Sequence, residues 1–269
     1  MGELRTAGRR LRPTRSSLTA GPSKRLLVLA ALTGLLTGVC VAGFEWVTRS
    51  TIFDWVLTLP LWAQAVIPTA GLAATAIVLA TVGRGASAAT SDEYIRNFHD
   101  RGQALDLRPL PARILGGVAT LGTGGALGFE GPSLYLGASI GTLLDRVRRR
   151  SGSRTDNKVL MVAGAAAGVA AIFKAPTTGA VFALESPYRD DNARRMLLPA
   201  LLAAATGYLS AVALLGTAPL FSVEGSPPFD LRELGGAVVL GLLCGVGARV
   251  FAWLIGRAKE LSTTTPAWA

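Results

Sequence analysis

Hydrophobic and polar positions along the chain sort into long apolar blocks separated by short polar ones. Several blocks have the length a helix needs to cross a bilayer, about 20 residues. Residues 26–47 form a first full span, 61–82 a second, 196–215 a third and 234–255 a last. Between them the pattern changes. Residues 113–127 are glycine-rich and carry Thr120 and Thr123, and the helix expected over 132–144 is shorter still, so neither crosses alone. Residues 159–173 and 177–184 form a second broken pair, split at Lys174-Ala175-Pro176. Short, interrupted helices are tolerated at membrane depth where they are buried in protein or line a cavity, and they are the best sequence pointer to a transport site. The pattern therefore predicts an all-α polytopic membrane protein.

The remaining segments frame these helices. Residues 1–24 have no periodicity and are expected to be a disordered, basic cytoplasmic tail; 25–262 form the helical membrane domain, and 263–269 a short tail. The short segment 51–60 holds Trp55, and Trp62 follows, as expected where aromatic rings sit at the membrane interface. Pro68 is expected to kink the second span or mark its first turn. Residues 83–111 are the most polar internal stretch, and a short amphipathic helix is expected to start there with Ser91 as cap and Asp92 and Glu93 in the first turn. Gly34 with Gly38, and Gly137 with Gly141, have the small-xxx-small spacing that lets helices approach closely.

Charge sharpens the topology. The chain has 27 Lys and Arg against 17 Asp and Glu, a net charge of +10, which first suggests a nucleic-acid partner. The distribution argues otherwise: Arg5, Arg9, Arg10, Arg12, Arg15, Lys24 and Arg25 precede the first span, and Arg146, Arg148, Arg149, Arg150, Arg154 and Lys158 share one loop. That is the positive-inside pattern of cytoplasmic segments, so no nucleic acid is expected and the N-terminus is placed in the cytoplasm. The first apolar run shows no cleavage site and is read as a retained helix. Cys40 and Cys244 lie in separate spans without metal-ligand spacing and are expected to be packing residues, with no metal site. His99, the single histidine, stands among Asn97, Asp100 and Arg101 as a surface residue. Without a paired nucleophile and base, a membrane enzyme is not expected, and no cofactor is implied.

One carboxylate stands out. Glu130 sits between glycines in the apolar stretch 124–141, where a charged side chain at membrane depth costs about 2.5–3.5 kcal/mol on insertion scales. Gly128 and Gly131 permit unusual backbone shapes, and Pro132 suits a first helical turn, so a helix is expected to begin just after Glu130. Its N-terminus, with about half a positive charge, is an anion site that either Glu130 or a diffusible anion can occupy. The alternative is a carboxylate paired with a cation, Arg113 or Arg249.

Gly128-Phe129-Glu130-Gly131-Pro132 resembles the Gly-Lys/Arg-Glu-Gly-Pro helix start of the ClC family of chloride channels and chloride/proton antiporters. The runs Gly164-Ala165-Ala166-Ala167-Gly168, Phe173-Lys174-Ala175-Pro176 and Gly179-Ala180-Val181-Phe182-Ala183-Leu184-Glu185 resemble that family's second block in order and spacing. The resemblance implies the first half of the family's inverted-repeat fold, with broken, re-entrant helices, in a cell-membrane homodimer that moves chloride or another small anion across the lipid bilayer. It implies Glu130 as the gating glutamate, and Gly128, Phe129, Glu130, Gly131 and Pro132 as anion-binding positions.

The chain departs from the family pattern in four ways. Phe129 replaces the usual basic residue, which leaves backbone dipoles to bind the anion. The family's serine-bearing Gly-Ser-Gly-Ile-Pro block is not recognisable near residues 85–92, where Ser87, Thr90 and Ser91 are candidates. Ser186 follows Glu185 where antiporters carry a proton-transfer glutamate, and serine does not exchange protons near neutral pH, so passive conduction is expected. With the register shifted by one, Glu185 carries the proton and the chain reads as an antiporter. Finally, nothing after Leu234 resembles the family's later anion-coordinating elements. The chain is thus expected to be a fragment lacking half the pore; the other readings are a truncated product and a non-transporting membrane subunit.

Overall fold

The computed structural model describes residues 22–100, 105–148, 157–187, 194–218 and 230–264, and every regular element among them is helical. The chain divides into two units, residues 1–220 and 221–269. In the first, α1 (Lys24–Glu45) runs through a π-helical stretch, Trp46–Phe53, into the short α2 (Asp54–Leu57). Then follow α3 (Leu61–Thr81), α4 (Thr90–His99), α5 (Leu110–Gly122), α6 (Glu130–Arg148), α7 (Asn157–Phe173), α8 (Pro176–Glu185) and α9 (Arg194–Leu215). The second unit holds α10 (Leu231–Thr264), whose described side chains are exposed. Among the described residues, four helical segments are long and apolar enough to cross a membrane: Lys24–Leu57, Leu61–Thr81, Arg195–Leu215 and Leu231–Ala258.

Helix α7 forms the centre of the first unit, packing against α1, α6, α8 and α9, while α3 packs mainly against α5. Its near-unbroken run of Ala, Gly and Val makes this possible: small side chains on every face let four helices approach one rod. Two backbones touch at Gly137 of α6 and Gly164 of α7, where a Cβ added to either glycine would overlap the other's carbonyl. One turn on, Gly141 meets Leu160 in the same way, and Gly34 and Gly38 of α1 meet Ala203 and Gly207 of α9. Both expected close-packing faces are therefore present, and each serves a neighbour in the same chain.

Local differences from the sequence reading have identifiable causes. The first span continues past residue 47 because the π-helical turns carry it through the polar Thr48-Arg49-Ser50-Thr51, with Arg49 Nη1 3.8 Å from Glu45 Oε1. Pro68 lies well inside α3 rather than in its first turn. Ser91 does not cap α4; the cap position is Ala89, without a side-chain bond, and Thr90 opens the helix. Cys40 and Cys244 are free thiols, and Cys40 is exposed within the first unit rather than packed in its core. The break between α7 and α8 occurs at Lys174, whose backbone takes a positive φ of 53°, followed by Pro176 in the first turn of α8. His99 is exposed, as expected, with its ring edge-on to Phe98. Of the basic tail, residues 1–21 lie outside the described residues, as do Arg149, Arg150 and Arg154 of the basic loop.

Candidate functional site

The site is built where α5 stops and α6 starts. Gly124, with φ of 91°, turns the chain out of α5, and the Gly125 and Leu127 amides bond back to Thr120 O and Gly125 O at 2.9 and 2.8 Å. Ser133 N then bonds Phe129 O at 3.1 Å, so Phe129 takes the cap position and Glu130 the first helical one. The helix thus begins at Glu130 itself, one residue or two earlier than expected. Because Pro132 has no N–H, the Phe129, Glu130 and Gly131 amides remain as the open donors of the first turn.

Two glycines allow this geometry. The partly buried Glu130 side chain folds back along its own loop, and a Cβ at Gly128 would overlap its carboxylate. A Cβ at Gly131 would stand 2.6 Å from Thr90 Oγ1, so only glycine lets the N-terminus of α4 reach that of α6. Phe129 turns away: its ring packs edge-on against Phe44 of α1, with centroids 5.8 Å apart, so only its backbone is available to the site.

A cavity of about 410 Å³ lies against these two helix starts. Its polar groups are Thr75, Thr90, Ser91, Arg113, Thr120 and Glu130, set among apolar residues of α3 and α5. Thr75 Oγ1 lies 2.7 Å from Thr120 Oγ1 and 2.9 Å from Gly116 O, which ties α3 to α5 along the wall. Of the candidate hydroxyls, Thr90 and Ser91 line this cavity. Ser87 instead lines a neighbouring cavity of about 660 Å³, its Oγ accepting from Ala89 N at 3.0 Å.

Arg113 was expected as a possible partner of Glu130. Among the described residues no cation lies within ion-pairing distance of Glu130, and Arg249 belongs to the second unit. Arg113 is instead buried, with Nε donating to Ser87 O at 3.1 Å, Nη2 3.7 Å from Glu93 Oε2, and the guanidinium 4.4 Å from the Tyr135 ring centroid. Glu93 is shared: Arg96 Nη2 donates to it at 2.5 Å and Asn97 Nδ2 at 2.9 Å. Burial pushes the Glu93 carboxyl up, but the Arg96 hydrogen bond and the charges of Arg96 and Arg113 outweigh it and hold the group below the usual carboxylate range.

Glu185 and Ser186 lie elsewhere, at the end of α8. Glu185 is exposed, Ser186 Oγ donates to Phe182 O at 2.7 Å, and neither lines the Glu130 cavity. The Thr75–Thr120 pair and the true partners of Arg113, Ser87, Glu93 and Tyr135, are what sequence reasoning missed. The available signal was polar residues inside an apolar, glycine-rich segment, which marked 113–127 as a poor lone span without saying what its threonines face.

Residues 70–269 match the family model described as voltage gated chloride channel. Among curated proteins, the chain is 29% identical over 252 residues to the H(+)/Cl(-) exchange transporter ClcA of Vibrio cholerae, covering 88% of this chain and 52% of that protein. It is 30% identical over 255 residues to the ClcA of Salmonella arizonae, with the same coverage. The chain thus spans about half the length of the curated relatives it matches. Among solved structures, a slow cyanobacterial Cl-/H+ antiporter aligns with a TM-score of 0.77 at 24% identity, over 93% of this chain and 60% of that one. A CLC-type fluoride/proton antiporter aligns with a TM-score of 0.72, at the same identity and coverage. These likenesses establish the fold. With most of its length matched by the family model, and with broken helices meeting at Glu130 in that fold, the chain belongs to the voltage gated chloride channel family.

Proposed function

We propose that the chain forms part of an anion-translocation pathway, with Glu130 as a carboxylate gate at the N-terminus of α6. The observation that carries this reading is the convergence of two helix starts, α4 and α6, on one cavity that also holds Glu130. Each helix start presents about half a positive charge and open amide donors, a ready-made place for a small anion. The α6 amides serve equally a bound anion or the Glu130 carboxylate, so the two compete. When the carboxylate withdraws, the anion takes its place. Chloride is the first candidate, since the curated relatives are named for chloride exchange. The chain acts in the cell membrane as a pair of copies, with the N-terminus and the basic residues of 146–158 on the cytoplasmic side.

Passive conduction is the favoured mode, because Ser186 holds no exchangeable proton near neutral pH. Proton-coupled exchange is the second reading, favoured by the names of the relatives. Proteoliposomes carrying the chain test both. Chloride efflux above that of empty vesicles is expected, without proton movement against its gradient; no efflux refutes transport by this chain, and chloride-driven proton uptake at a fixed ratio replaces conduction with exchange.

A further inference from the structure

Arg113 is the one residue, among those described, that lines both the Glu130 cavity and the larger cavity beside α4. It forms wall between them. Its side chain is 4% exposed, and three of its features are committed: Nε to Ser87 O, Nη2 toward Glu93, and the guanidinium face to the Tyr135 ring. Nη1 is buried and makes no hydrogen bond. A purely structural arginine would satisfy its donors, since buried polar groups are overwhelmingly paired and an unpaired one is costly. Its countercharge is also incomplete, because Glu93 sits 3.7 Å away and is drawn more closely to Arg96. A buried, incompletely compensated cation thus stands beside the cavity that two helix starts already make attractive to anions.

We propose that Arg113 is a specificity-determining residue of this pathway, its buried and incompletely compensated charge raising the affinity of the Glu130 cavity, which it lines, for a small anion. This supplies the side-chain cation that the α6 motif lacks at Phe129, whose ring is packed against Phe44. The inference rests on the anion reading above. A guanidinium fixed on three sides keeps its charge in one place, which a flexible ammonium does not.

The test is a chloride titration of the purified full chain in detergent by calorimetry, with Arg113→Gln and Glu93→Gln beside the wild type, and folding checked by circular dichroism and monodispersity. Arg113→Gln is expected to weaken chloride binding by about tenfold to a hundredfold, the range of a charge interaction across several ångströms at a protein's effective dielectric. Glu93→Gln is expected to tighten it several-fold, because the Arg113 charge is no longer shared. Equal chloride affinity in folded Arg113→Gln and wild type overturns this inference alone. Should Arg113→Gln not fold, Glu93→Gln decides, and unchanged or weaker binding in it overturns the inference. A wild-type chain that binds no chloride overturns the anion reading together with the inference.

Discussion

The contact between Gly137 and Gly164 permits a quantitative prediction. In Gly137→Ala the new methyl would overlap the Gly164 carbonyl oxygen, lie 2.7 Å from its carbon and 3.0 Å from Thr37 Cγ2. The obstacle is the backbone of α7, which cannot rotate aside as a side chain can, so the two helices must separate by on the order of an ångström. Overpacking of this kind costs about 1–3 kcal/mol, and a backbone obstacle places it near the upper end. Alanine recovers up to about 1 kcal/mol through its better helix propensity. The net loss is roughly 2 kcal/mol, or about a thirtyfold fall in the folded-to-unfolded ratio. Equilibrium unfolding in mixed micelles measures it, with Gly43→Ala as control, because a Cβ at Gly43 meets nothing within 4 Å. Gly137→Ala as stable as the control would refute the direct backbone contact between α6 and α7.

Two further outcomes test the supports of the site. Glu93 has a depressed folded pKa, so its contribution to stability is present above the unfolded value of about 4.3 and is lost as pH falls through the folded one. Wild type should therefore lose more stability than Glu93→Gln between about pH 5 and pH 3 in thermal unfolding; parallel profiles would contradict the Arg96–Glu93–Arg113 arrangement. Tyr94 Oη donates to Ala183 O at 2.8 Å, fixing α4 to α8 in a buried setting, and Tyr94→Phe should cost about 1 kcal/mol in the same micelle unfolding.

Much of this architecture is legible in the amino-acid sequence because a bilayer enforces it. Spans such as Leu61–Thr81 and Arg195–Leu215 follow from apolar length, and the breaks before α6 and α8 follow from glycine and proline in apolar runs. Glu130 is legible for the same reason: a lone carboxylate in such a run needs a partner or a purpose. What sequence does not reveal is which distant groups meet. Arg113 is separated from Ser87 by 26 residues and Thr75 from Thr120 by 45, and no local period links either pair. The start of α4 was misjudged because Ser91 has the right chemistry for a cap, whereas the backbone turns at Ala89. The π-helical turns of Trp46–Phe53 have no compositional signature at all.

The central claim is that Glu130 and a diffusible anion compete for the start of α6, and chloride flux through Glu130→Gln as a function of pH tests it most directly. Flux through the wild-type chain should rise as protonation takes the carboxylate out of competition, and in Glu130→Gln it should become nearly independent of pH. A variant whose flux keeps the wild-type pH response would contradict the claim and remove Glu130 from the gate.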